Sequence, residues 1–195
     1  MFKQFRVFSL ILVGLVLVGT GGGLSMAGAE SSWSLKMTVP LEFGISTVDM
    51  DRMIKFYTEV LGLKLVADVK VPPEMSTRTG ATPHGYRIVR LQTPYGERIK
   101  LVQAGKPPKL SEVPNYVQER QGFAYLTFVI ADLDGVIKRL KEHGVKLLSG
   151  GEKVEVRSGV FAIYSIDPEG NFVEFVEYPD VPSYRPDLFK WRQFF

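Results

Sequence analysis

Residues 167–177 read Asp167-Pro168-Glu169-Gly170-Asn171-Phe172-Val173-Glu174-Phe175-Val176-Glu177, a turn feeding an alternating strand. Pro168 fixes φ at the first turn position, and Gly170 supplies the freedom needed to reverse the chain. Beyond the turn, Phe172, Glu174 and Val176 share one face, while Val173, Phe175 and Glu177 share the other. Val173 and Phe175 suit a core layer. Glu174 is then a mid-strand carboxylate among bulky apolar neighbours, where a charge is costly unless paired or used.

The stretch has an echo. Thr93-Pro94-Tyr95-Gly96-Glu97-Arg98-Ile99-Lys100-Leu101-Val102-Gln103 repeats the Pro-x-Gly turn and the alternation, with Lys100 where the other copy has Glu174. Repetition extends upstream. Thr47-Val48-Asp49-Met50-Asp51 lies over Ile130-Ala131-Asp132-Leu133-Asp134, and Gly62-Leu63-Lys64-Leu65 lies over Gly144-Val145-Lys146-Leu147. Each half reads strand, helix, then three strands. One helix covers one face of such a sheet, so two paired modules leave their other faces lining a shared cleft. The fold class is α+β: two tandem βαβββ modules over about residues 40–104 and 122–178.

The first strand spans Leu41 to Val48. Thr47 or Asp49 caps the helix that follows, whose buried stripe is Met53, Phe56, Tyr57, Val60 and Leu61, and Gly62 stops it. Strands follow at Leu63–Val69 and Tyr86–Gln92, separated by a Pro-, Thr- and Gly-rich loop from Pro72 to Gly85. Residues 104–121 form a connection with a short helical turn near Tyr116. In the second half, Phe123–Ile130 is a strand and Asp132 caps a helix with the stripe Leu133, Val136, Ile137 and Leu140, ended by Gly144. Val145–Leu148, Lys153–Val156 and Val160–Ile166 complete the strands. Residues 179–195 form an aromatic tail, expected to fold onto the sheet or a partner subunit.

The chain begins differently. Lys3 and Arg6 precede an apolar run from Val7 to about Thr20, and Gly and Ser lead to Ala27-Gly28-Ala29. That order is a secretory signal peptide over residues 1–29, cleaved after Ala29, with a flexible leader over 30–39. Uncleaved, the stretch from Val7 to Ala29 would serve as a membrane anchor. The expected location is therefore periplasmic or extracellular. Removing the leader leaves 22 basic against 21 acidic side chains. No basic run carries interleaved aromatics, so nucleic-acid binding has no support. Cysteine is absent, which excludes disulfides, thiolate metal sites and a cysteine nucleophile. A G-x-S-x-G elbow is likewise missing.

The repeat resembles the vicinal oxygen chelate superfamily, which includes glyoxalase I, extradiol dioxygenases, methylmalonyl-CoA epimerase and bleomycin-resistance proteins. The segment VDMDRMIKFYTEVLGLKLV is similar to that family's first helix, and DPEGNFVEFVEYP to its last strand. In the metal-dependent members, four cleft-facing side chains hold a cation: His or Gln on the first strand, Glu on the fourth, His on the fifth and Glu on the eighth. Those positions fall here on Glu42, Lys100, Tyr125 and Glu174. Only Glu174 matches the pattern well. Glu42 is able to ligate, Lys100 would repel a divalent ion, and an unperturbed phenol ionises only near pH 10. No metal is expected at such a set, and any metal held would rest on Glu42 and Glu174.

Two readings stay open for these four residues: a Glu–Lys–Glu network filling the old metal cavity with Tyr125 donating to it, or a cleft in which Lys100 or Tyr125 holds a ligand's oxygen. Arg90, on an alternating strand, is a further candidate to grip a carboxylate or phosphate, and His84 borders the cleft in the long loop. Arg78, Arg87 and Arg98 surround the same half in sequence, and His143 reads as a structural helix end. The resemblance to bleomycin-resistance-like members implies small-molecule binding without a catalytic metal. The alternative is a metal-dependent glyoxalase-, epimerase- or dioxygenase-like enzyme, and a third reading is a scaffold contacting partners through its aromatic tail. Modules of this kind pair within a chain or between chains, which leaves a homodimer open.

Overall fold

The computed structural model describes residues 35–191, with side chains to Leu188. The expected signal peptide lies outside the described residues. Two four-stranded mixed sheets make up the domain. The first takes β1 (Glu42–Ser46), β2 (Lys64–Val71), β3 (Tyr86–Gln92) and β4 (Arg98–Ala104) in the order β1-β4-β3-β2. The second takes β5 (Tyr125–Ile130), β6 (Val154–Arg157), β7 (Val160–Ile166) and β8 (Phe172–Glu177) in the matching order β5-β8-β7-β6. In each, the first strand runs parallel to the last and the hairpin strands are antiparallel. The α+β architecture of two repeated modules follows the sequence repeat.

Alternation decides which faces are buried. Val89, Leu91, Ile99 and Leu101 of the first sheet and Ile163, Val173 and Phe175 of the second all enter one core cluster. The helices α1 (Met50–Lys55) and α3 (Leu133–Glu142) add Met50, Met53, Leu133, Ile137 and Leu140. Each such side chain is worth about 1.5–3 kcal/mol when removed from water. Both modules thus feed the same main cluster.

Local chemistry sets the helices. Asp49 accepts from the Arg52 N–H and caps α1, and Asp132 accepts from the Gly135 N–H and caps α3. Gly62 and Gly144 end the two helical segments at φ 76° and 65°. One feature differs from the expected regular stripe: α1 continues as a π-helical turn over Phe56–Val60. There the Leu61 N–H bonds the Phe56 carbonyl, and the Thr58 hydroxyl takes the Ile54 carbonyl at 2.8 Å. The wider turn buries both Phe56 and Tyr57, whose rings meet edge to face at 5.0 Å.

Three further expectations are corrected. The loop from Pro72 to Gly85 contains a short helix, α2 (Pro73–Arg78), because Pro73 is preorganised for a first helical position. The strand expected over Val145–Leu148 reduces to a single bridge between Leu147 and Ser165, since the chain turns away at Gly150 and Gly151. The strand expected from Phe123 begins at Tyr125. The connection between modules carries a 3-10 turn at Val117–Glu119, as the sequence suggested near Tyr116. Among the described residues no helix is long and apolar enough to cross a membrane.

The opening turn joins the modules. Glu169 accepts from the Thr47 hydroxyl at 2.8 Å, the Val48 N–H at 2.9 Å and the Asp49 N–H at 2.5 Å, all at the entry to α1. Asp167 accepts from the Tyr57 hydroxyl at 3.1 Å. Within the turn, Gly170 sits at φ 89°, a conformation that L side chains rarely adopt, and a Cβ there would lie 2.3 Å from Val113 Cγ2. Gly170→Ala is expected to cost about 1–2 kcal/mol, read as an earlier urea midpoint. An unchanged midpoint would mean that the turn relaxes without penalty.

After β8 the chain folds back on itself. The Tyr184 ring of α4 (Val181–Tyr184) stacks on Tyr178 at 3.7 Å, and Tyr178 packs against the buried Val160, Ala162 and Val176. A last helix, α5 (Pro186–Trp191), follows. Phe195 lies outside the described residues.

Candidate functional site

The faces turned away from the main core carry the candidate polar residues, on the second sheet beside the buried Phe172 and Val176. In the first sheet two rows cross β1, β4 and β3: Glu42 beside Arg98 beside Gln92, then Gly44 beside Lys100 beside Arg90. In the second sheet the equivalent rows are Tyr125, Phe172 and Ile166, then Thr127, Glu174 and Tyr164. The central position of the second row is thus an ammonium in one module and a carboxylate in the other. Phe43 meets Phe123 edge to face at 6.4 Å, bringing β1 beside the lead into β5.

Three cations converge on Glu42. Arg98 Nη1 lies 3.4 Å from Oε1, while Lys100 Nζ and Arg90 Nε lie 3.5 and 3.9 Å from Oε2. Arg98 also donates through Nε to Gln92 at 2.8 Å, which fixes its plane. Around Glu174 the chemistry is different. Thr127 donates its hydroxyl to Glu174 Oε2 at 2.7 Å, and Tyr164 stands opposite Glu174 on the neighbouring strand. Burial pushes the Tyr164 phenol up, and the neighbouring Glu174 and Tyr125 push it further, so it stays neutral. Tyr125 and Tyr164 meet edge to face at 5.3 Å.

The arrangement differs from a Glu–Lys–Glu chain. Lys100 pairs with Glu42, and no ion pair within 4 Å joins it to Glu174 among the described residues. Tyr125 packs on Tyr164 rather than on Glu174. Arg90 stands in the Glu42 cluster. His84 stands elsewhere, lining a recess at the far end of the first sheet with Lys70, Tyr86, Arg87 and Gln103. Thr127 and Tyr164, which carry no motif of their own in the sequence, join the site through strand register. Counting back from the Asp167–Gly170 turn would have set Tyr164 opposite Glu174. Among the described residues no group of three or more His, Cys, Asp or Glu is placed to hold a metal ion.

The site therefore has a half with excess positive charge and a half in which one carboxylate takes a hydroxyl donor and stands opposite a phenol. The first suits anionic oxygens, the second hydroxyl or carbonyl groups.

The model of the Glyoxalase/Bleomycin resistance protein/Dioxygenase superfamily matches residues 40–175. A glyoxalase family protein from Bacillus cereus superposes with a TM-score of 0.62 at 24% identity, over 76% of this chain and 98% of its own. The trypanothione-dependent glyoxalase I of Leishmania major does so at 0.56 and 21% identity, over 83% of this chain and 100% of its own. A glyoxylase/bleomycin resistance protein/dioxygenase domain from Frankia gives 0.57 at 16% identity, over 74% and 95%. At these identities the likeness shows the fold. No protein of curated function matches the sequence.

Proposed function

The chain belongs to the glyoxalase/bleomycin resistance protein/dioxygenase superfamily, and from that premise we propose that it is an exported protein that binds a small molecule in its cleft without a catalytic metal. The observation that carries this reading is the Lys100 ammonium in the Glu42 cluster. A divalent cation does not fit this donor set: Glu42 already faces three cations within 4 Å, and Lys100 stands where the metal-dependent members have a carboxylate. Glu174, with Thr127 donating to it, is one carboxylate where such an ion needs several ligands. No step of a metal-dependent reaction is therefore assigned to these residues. Export rests on the Lys3–Arg6 start, the apolar run and Ala27-Gly28-Ala29.

The test is metal content of the protein purified without chelator and without a histidine-rich tag. We expect far less than one equivalent of zinc, nickel, manganese or iron, and no calorimetric heat when each is added. A stoichiometric metal lost on Glu174→Ala would overturn the reading and bring the enzyme to the front. Export is checked by the mass of the extracytoplasmic protein, which should begin at Glu30.

A further inference from the structure

We propose that the Arg90, Arg98 and Lys100 cluster is a dianion site, so that the ligand class is a small molecule carrying two adjacent carboxylates or one phosphate. This rests on the reading above that the cleft takes a small molecule. Three cations face a single acid, which leaves two positive charges in excess. Their side chains are not solvated in the ordinary way: they are 31–39% exposed, against 71% and 79% for Lys55 and Lys138 on the helices. A half-buried excess charge is costly without a counter-charge, and in that setting its attraction for an anion is screened less than at the surface.

Unspent donors support the assignment. Contacts of 3.5 and 3.9 Å from Lys100 and Arg90 to Glu42 are Coulombic and too long for good hydrogen bonds. Neither side chain makes any closer bond among the described residues. The Arg90 guanidinium presents a planar fork suited to two oxygens of a carboxylate or phosphate, and Lys100 adds a point charge. There is also room. Lys100 lies between Gly44 and Arg90 in its row, and Gly44 has no atom within 4 Å of where a Cβ would be. Glu42 is then an internal counter-ion, holding the three cations together until an anion enters.

The experiment is calorimetric titration of the mature protein at low salt with phthalate and inorganic phosphate as dianions, benzoate as a monoanion and phthalamide as a neutral isostere. We expect the dianions to bind about tenfold or more tighter than benzoate, in line with one additional charge-assisted contact, and phthalamide not to bind. The tighter of the two dianions identifies the source, dicarboxylate or phosphate. Lys100→Gln and Arg90→Gln should each weaken phthalate about tenfold, and Glu42→Gln should strengthen it, a gain that a damaged fold would not give. Equal affinity for phthalate and phthalamide, or unchanged affinity in both cation variants, would overturn the dianion site while leaving a small-molecule cleft. Binding that appears only after zinc or manganese is added would overturn both.

Discussion

Asp167→Ala is expected to remove about 3 kcal/mol of stability, seen as a lower urea midpoint at an unchanged slope. The carboxylate is 3% exposed and has four donors. The Glu169 and Asn171 N–H groups bond Oδ1 at 2.9 Å, and the Asn171 side chain and the Tyr57 hydroxyl bond Oδ2 at 2.9 and 3.1 Å. Alanine strips all four, and Tyr57, fully buried, has no water to turn to. The pH dependence carries a sign. Burial raises the Asp167 carboxyl above its ordinary value of 3.8, and its hydrogen bonds only partly oppose this. The folded protein thus binds that proton more tightly than the unfolded chain. The stability linked to protonation is fully present below 3.8 and is lost as pH rises through the raised folded value. Asp167→Asn has no such proton, so the advantage of the natural protein over that variant should grow as pH is lowered from neutral towards about 4. Growth in the opposite direction would mean that the turn holds Asp167 as a charge.

Glu169→Ala should cost about 2–3 kcal/mol, and Glu169→Gln about half of that, since the amide keeps one acceptor oxygen. Its three donors, from Thr47, Val48 and Asp49, belong to the other module, and Thr47 is fully buried. The loss is therefore one of module-to-module attachment, together with helix entry. Hydrogen exchange separates the two. Faster exchange at the Val48 and Asp49 amides with an unchanged β8 would identify a local cap, whereas faster exchange across both modules would show that the attachment holds the shared core. A loss below about 0.5 kcal/mol would mean that water replaces the clasp without penalty. Because Asp167 and Glu169 share one turn, their effects should not add.

Much of this was legible in the sequence because local chemistry agreed with the pattern. Gly62 and Gly144 end their helical segments, Asp132 caps α3, and β3 and β7 have the expected bounds. What escaped was set by tertiary demands. The π-helical turn answers the need to bury Phe56 and Tyr57 side by side, which no periodicity announces. The helix α2 was hidden in a segment whose Pro and Thr read as a loop. At the site, Glu42, Arg90 and Lys100 come together because alternation puts them on one face of adjoining strands. Thr127 and Tyr164 required the register across three strands, and His84 was assigned by loop proximity, which does not determine which end of a sheet a loop covers.

The clasp also bears on the order in which the chain becomes structured. Glu169 is separated by 121 residues from Val48, and Asp167 by 110 from Tyr57. Contacts so distant along the chain form only after a large loop closes, which slows folding. The entry to the first helix gains the Glu169 clasp only when the final hairpin exists. An amino-terminal fragment stopped at the connection would expose Leu101 and Met53 with half of their core missing. The clasp therefore couples two repeats, alike in topology, whose main core is shared.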